Sequence, residues 1–269
     1  MIKRRHLFEI HEQDWCPAVI RDGATDYLRF LAAFAHQYTH VVPVLRRGLL
    51  AAGSEAIVDL CSGSGGPWPQ LQRELLASLP TPIPILLTDL HPNSAAAYRP
   101  SWAQSTVEFV RTPVDATRIP ADLAGFRTLF TAFHHFPPQD ARRILLDAVR
   151  QGQGIGVFEQ TARTPLALIM MLFLPWLAFL AAPFLRPFRI DRLFWTWVIP
   201  AIPFVLTFDG IVSCLRTYSL PELRALTEDI HVHAIGPDYV WEFGTVPSPI
   251  SPIGVRYLIG YPVRGPVVE

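Results

Sequence analysis

The stretch Ile57–Trp68, IVDLCSGSGGPW, carries the information that decides the fold. A short apolar run ends in Asp59, the glycines Gly63, Gly65 and Gly66 follow within a few residues, and Pro67 precedes a helical pattern. Apolar runs bounded by turn residues form buried strands. Glycines let the backbone turn tightly and approach a ligand, and the start of a helix offers unpaired N–H groups. A strand, a glycine loop and a helix in that order make the geometry of a nucleotide pocket.

Working outward, the pattern repeats. Ala56–Leu60, Ile83–Thr88, Val107–Val110, Thr128–Phe133 and Gly154–Phe158 are expected strands, and Trp68–Leu79 and Pro138–Arg150 expected helices. Such alternation predicts an α/β fold, a doubly wound sheet of parallel strands covered on both faces. Sheets of this kind bind ligands beyond the carboxyl ends of their strands. Before the sheet, Gly23–Leu50 carries apolar residues at helical spacing. After it, YSLPELRALTEDI has Ser219 as N-cap, Pro221 in the first turn and Glu222 three residues after the cap, which is a capping box. HVHAIG and VRYLIGYPV are expected as the last two strands.

The chain has 269 residues, 50% of them hydrophobic, enough for one core with an insertion. Basic and acidic residues balance at 23 each, so no field draws in a polyanion, and nucleic acid is not expected as a partner. Cys16, Cys61 and Cys214 are too far apart for a zinc site and odd in number, which points to a reducing, cytoplasmic compartment and to no bound metal. The start, MIKRRHLFEIHEQDW, has acidic residues where an export signal has an apolar core. Mean hydropathy is nevertheless +0.26. The excess sits in Pro165–Phe208, where the only charges are Arg186, Arg189, Asp191 and Arg192. Its first part is long enough to cross a bilayer, but a two-helix hairpin would carry three arginines to the far side, against the tendency of basic residues to remain inside. The expectation is a lid that dips into one leaflet with its arginines at the headgroups, on the inner face of a membrane; the alternative is an apolar cap packed on the domain or on a second subunit in a homodimer.

The loop and the strand ends resemble a known family. VDLCSGSGG is similar to the first motif of the class I S-adenosylmethionine-dependent methyltransferases, an acidic residue followed by G-x-G-x-G; LLTDLHPN resembles the second motif and PVDATRIP the third. The resemblance covers Ala56–Thr161 and resumes at Thr217. It implies a Rossmann-like, seven-stranded methyltransferase sheet with N-terminal helices and an apolar helical insertion, and S-adenosyl-L-methionine as cofactor. The division that follows is a helical cap over 1–53, a cofactor-binding core over 54–164, a lid or membrane-contact insertion over 165–208 and completion of the core over 209–269. The cofactor set implied is Asp59, Cys61, Gly63, Gly65, Asp89, Leu90, Asp115 and Ala116. Asp89 would accept from the ribose hydroxyls, Asp115 from the adenine amino group, and Ala116 would donate its backbone N–H. The family's first glycine is here Cys61, a small side chain where the backbone turns.

Methyl transfer needs alignment more than acid–base chemistry. Where a base is used, His134 and His135 in AFHHFPP are placed to take a proton, and Glu159 stands at the next strand end. The bland alternatives are a histidine packed against Phe133 or Phe136, and a Glu159 that caps a helix or pairs with Arg163. Asp209, Ser213 and Arg216 share a helical face and could floor a substrate pocket; alternatively Asp209 and Gly210 turn the chain at the end of the insertion. Trp15, with Asp14 and Arg21 in the leader, is either a substrate-side residue or core. The function expected is methylation of a hydrophobic small molecule or lipid-like acceptor. The alternatives are other chemistry on the same cofactor, or a membrane-tethered binding protein whose altered loop residue, Cys61, marks a degenerate site.

Overall fold

Ile57–Asp59 forms β1 and lies in the middle of the sheet, hydrogen-bonded on both sides. The computed structural model describes residues 2–34, 36, 38–63, 65–92, 106–228, 230, 238–249 and 251–263. Among these, seven strands make one sheet: β1, β2 (Ile85–Leu87), β3 (Val107–Phe109), β4 (Phe126–Phe130), β5 (Ile155–Glu159), β6 (Tyr239–Val246) and β7 (Val255–Pro262), in the order β3-β2-β1-β4-β5-β7-β6. The first five are parallel; β7 runs antiparallel to β5, and β6 antiparallel to β7. Strand order reverses beside β1, so the loops after β1 and β4 flank the switch point where doubly wound sheets take ligands.

The chain divides into two compact units. The sheet unit comprises Tyr38–Gln160 and Ser219–Glu269; the helical unit comprises Met1–Gln37 and Thr161–Tyr218. The division therefore falls at 37, 160 and 218 rather than at 53, 164 and 208. The physical reason is which core each helix joins. Helix α2 (Val42–Ala51) buries Leu45 and Leu49 with Phe126 and Ile259 in the core of the sheet. Helix α8 (Ala201–Arg216) buries Ile202, Val205 and Leu206 with Ile20 and Tyr27 of α1 (Ala18–Phe34).

In the sheet unit, α3 (Trp68–Ser78) and α4 (Pro138–Arg150) form where their apolar spacing predicts, each with proline in its first turn where no N–H partner is lost. Ser219 and Glu222 make the capping box that opens α9 (Leu220–Thr227). The expected strand HVHAIG lies outside the described residues, and the strand before β7 is Tyr239–Val246. Strand β4 also stops short of Phe133: Thr131 turns into the left-handed region at φ 46°, and Phe133–His135 is a 3₁₀ turn.

In the helical unit, α5 (Pro165–Met171), α6 (Leu174–Ala181) and α7 (Ile190–Leu193) precede α8. α8 passes unbroken through Asp209 and Gly210, so no turn ends the insertion there. A side chain at Gly210 would meet Met171 and Leu174, which means this glycine allows close packing instead of a bend. Of the three arginines of the insertion, Arg192 differs from expectation. Arg192 is buried, bonded to Asp26 at 2.8 Å and to the carbonyls of Leu185 and Pro187, because Asp26 of α1 supplies a counter-charge inside the unit. Arg189 pairs with Asp191, and Arg186 is exposed.

Phe126 has no exposed surface and fills space left by Gly48, Gly154 and Gly156, where a Cβ would meet its ring. It thereby locks α2 onto β4 and β5. Phe126→Ala is expected to lower stability by about 3–5 kcal/mol in denaturant titration; a cost below about 1 kcal/mol would show that the ring is not a keystone.

Candidate functional site

The register of β1 on β4 sets Asp59 beside Thr128, and its register on β2 sets it beside Leu87. The Thr128 hydroxyl donates to Asp59 Oδ1 at 2.6 Å, and the Ser62 hydroxyl to Oδ2 at 2.6 Å. The Asp59 carbonyl accepts from the backbone N–H and the hydroxyl of Thr88, at 2.8 and 2.9 Å. Burial raises the Asp59 carboxyl to about 6, and the hydroxyl donors Ser62 and Thr128 work against that rise. With both oxygens engaged beneath the loop, Asp59 is a positioning residue: it ties the start of the loop to β2 and β4. Thr128, Ser62 and Thr88 did not figure among the sequence candidates. The signal for Thr128 was a polar residue within an otherwise buried strand.

Beyond this knot the chain turns through left-handed conformations at Cys61 (φ 57°), Gly63 (φ 53°) and Gly65 (φ 104°). A Cβ built at Gly63 meets nothing within 4 Å, so the backbone there faces open space in which a ligand can approach it. Cys61 adopts a conformation that costs an L-residue about 1–2 kcal/mol. Burial pushes its thiol up to about 12, reinforced by the negative charges of Asp89, Asp59 and Asp115. Asp59 and Asp89 are joined through this loop, since the Asp59 carbonyl accepts from Thr88 N–H and the Asp89 carboxylate from Gly63 N–H. Cys61→Gly is expected to raise unfolding free energy by up to about 1 kcal/mol, and the parent thiol to react with iodoacetamide far more slowly folded than unfolded. A destabilised glycine variant or a fast-reacting native thiol would contradict this reading.

Asp89 follows β2. Its Oδ2 accepts from the Gly63 N–H at 2.8 Å and its Oδ1 from the His91 N–H at 2.9 Å, and each carboxylate oxygen has capacity for a further donor. Leu90 beside it is half exposed. The Asp89 carbonyl accepts from Val114 N–H at 2.9 Å, which joins this loop to the one bearing Asp115 and Ala116. Asp115 is exposed, with Oδ1 accepting from the Thr117 N–H and hydroxyl, while Ala116 is buried.

At the ends of β4 and β5, His134 Nδ1 lies 2.8 Å from Glu159 Oε2, and the His134 N–H donates to Glu159 Oε1 at 3.1 Å. Burial alone would raise the Glu159 carboxyl, but the charge and hydrogen bonds of His134 outweigh it and hold Glu159 below its ordinary range. A proton on Nδ1 would donate to that carboxylate, and in this tautomer Nε2 carries the lone pair. The His135 ring lies 4.2 Å from that of His134. Glu159 is not a helix cap: Thr164 caps α5. Beneath them, Tyr38 bonds its hydroxyl to Thr131, and Tyr38, Trp68 and Phe158 surround Phe130 with ring centroids 5.0 to 5.6 Å away.

The other candidates lie in the helical unit. Trp15 is 66% exposed, so it is not core. Asp209 accepts from the N–H groups of Ile10 and His11 and from His11 Nδ1 at 2.9 Å. Arg216 grips Glu12 with two bonds of 2.9 Å and the Leu7 carbonyl with a third, and Ser213 donates to Glu9. One face of α8 therefore clamps the leader. Burial tends to lower the His11 pKa, yet Asp209, Glu9 and Glu12 raise it overall. A raised histidine stabilises below its unfolded value near 6.5 and loses that contribution as pH climbs through the folded value. Protection of the Ile10 and His11 amides from hydrogen exchange is expected to fall as pH rises above about 6.5, after correction for intrinsic rates; unchanged protection would show that His11 takes no part in the clamp.

No protein-family model and no curated protein sequence matches the chain. Solved structures do. The plantazolicin methyltransferase BpumL in complex with SAH aligns over 95% of this chain and 94% of its own, at a TM-score of 0.57 and 12% identity. An O-methyltransferase family protein from Burkholderia thailandensis aligns over 91% of this chain and 63% of its own, at a TM-score of 0.51 and 15% identity. At such identities the likeness speaks to the fold, and it agrees with the strand order found here. The chain has the fold of the class I S-adenosylmethionine-dependent methyltransferases.

Proposed function

We propose that the protein is an S-adenosylmethionine-dependent methyltransferase that modifies a hydrophobic small molecule. The observation that carries this is a glycine loop after β1 whose Gly63 N–H donates to Asp89, whose neighbouring loop bearing Asp115 is tied to Asp89 through Val114 N–H, and whose Gly63 backbone faces open space. Asp59 holds the loop. Asp89, already fixed by two backbone N–H groups, accepts from vicinal ribose hydroxyls, and Asp115 with the Ala116 N–H reads the adenine edge. The cofactor supplies a methyl group activated on a sulfonium. The residues of this chain have to align the acceptor, exclude water and move one proton.

His134 Nε2 receives the proton that the acceptor's hydroxyl or amine gives up, while Glu159 orients the ring and balances the resulting imidazolium; His135 packs on its face. The hydrophobic nature of the acceptor is supported by the uncharged stretches of the insertion on either side of Arg186–Arg192.

Calorimetric titration with S-adenosylhomocysteine tests the reading. The parent is expected to bind, and Asp89→Ala to bind about 10- to 100-fold more weakly, the cost of a charged hydrogen-bond acceptor. No binding by folded parent protein, or equal binding by the variant, would contradict it. For the chemical step, Glu159→Gln is expected to lower kcat about 10- to 100-fold with little change in cofactor affinity; an unchanged kcat would remove His134 and Glu159 from the mechanism.

A further inference from the structure

Pro165–Phe184 makes a 20-residue helical stretch with a mean hydropathy of 2.2, only 22% buried. A core helix of that composition would be mostly buried. The distribution of side chains is also inverted relative to a helix in water. Ala178, Ala181 and Ala182 lie in the core of the helical unit, at most 7% exposed, whereas Phe173, Trp176 and Leu180 point outward, at 59%, 66% and 71% exposure. Small residues inside and large apolar residues outside is the arrangement of helices solvated by lipid, where close backbone packing stabilises and outward side chains cost nothing. Exposed apolar residues recur on the second arm, at Trp197, Val198 and Phe204.

We infer that the helical unit docks on an anionic lipid surface and buries this face in one leaflet. Charge favours lipid over a second copy of the chain. The unit carries ten basic residues against seven acidic, a net of three positive charges, although the whole chain is neutral. Arg186 is exposed between the exposed rings of Phe184 and Phe188, so a cation and apolar anchors share one loop, as binding at a headgroup boundary requires. Two copies meeting through such a surface would bring like charges together. Depth favours one leaflet over a span. The second arm bends by 74° between Ile190–Val198 and Ala201–Arg216. From Ala201 to Phe208 its apolar part rises about 12 Å before Asp209 and the clamped leader, close to half of the roughly 30 Å hydrocarbon core. The inference rests on the surface of the helical unit and is independent of the methyl-transfer reading.

Flotation with phosphatidylcholine vesicles, with and without phosphatidylglycerol, tests it. The parent is expected to float with the anionic vesicles, less with neutral ones and less at high salt. Trp176→Glu combined with Leu180→Glu is expected to abolish flotation while the far-UV circular dichroism spectrum and the thermal unfolding midpoint match the parent's, which separates lost docking from lost folding. Arg186→Glu is expected to weaken binding to anionic vesicles by at least about fivefold and to leave neutral vesicles unaffected. Alkaline carbonate is expected to release the parent. A parent that ignores all vesicles, a double variant that floats like the parent, resistance to carbonate, or a dimer in solution that the double variant dissociates and vesicles do not would each overturn the inference.

Discussion

A single buried carboxylate organises the sheet unit. Asp59 ends the central strand, and its two oxygens and its carbonyl are held by Ser62, Thr128 and Thr88 from three different segments. A charge in that position is costly, and it is tolerable only because hydroxyl donors meet each oxygen. The consequence is geometric. With the loop's first turn fixed, the left-handed residues that follow have little freedom, Gly63 is brought against Asp89, and the backbone faces outward where a nucleoside can approach. The loops after β2 and β3 are then joined by the Val114–Asp89 bond.

Much of this was legible in the residues. Strong helical periodicity with proline at the start located α3 and α4, and the Ser219–Glu222 pair located α9. The ordered acidic residues marked the ends of successive strands, and Asp59 and Asp89 do end β1 and follow β2. What stayed hidden depends on tertiary contact. Thr128 looks like any strand threonine until register sets it beside Asp59. The pair Asp209–Gly210 has the composition of a turn, yet the helix continues because the glycine admits Met171 and Leu174 and the aspartate finds the leader's N–H groups. Strand β6 was not anticipated at Tyr239–Val246, although its aromatic residues Tyr239, Trp241 and Phe243 carry a β signal.

The helical unit shows a second kind of limit. Absence of charge was visible in the sequence, but the direction of the side chains was not. That alanines turn inward and large apolar residues outward emerges only once α5 and α6 pack against α8. The same packing recruits Arg192 into an internal pair with Asp26 and leaves Arg186 as the exposed cation of the loop. Composition indicated that this segment is unusual; geometry shows which of its side chains are exposed.

The central claim is that the loop held by Asp59 receives a nucleoside at Asp89. The most direct measurement is a crystal structure of the protein grown with S-adenosylhomocysteine. The account requires the ribose hydroxyls on the Asp89 carboxylate, the adenine beside Asp115 and Ala116, and the Asp59 bonds to Ser62 and Thr128 unchanged. A ligand seated elsewhere, or a loop that must break those bonds to admit it, would contradict the account.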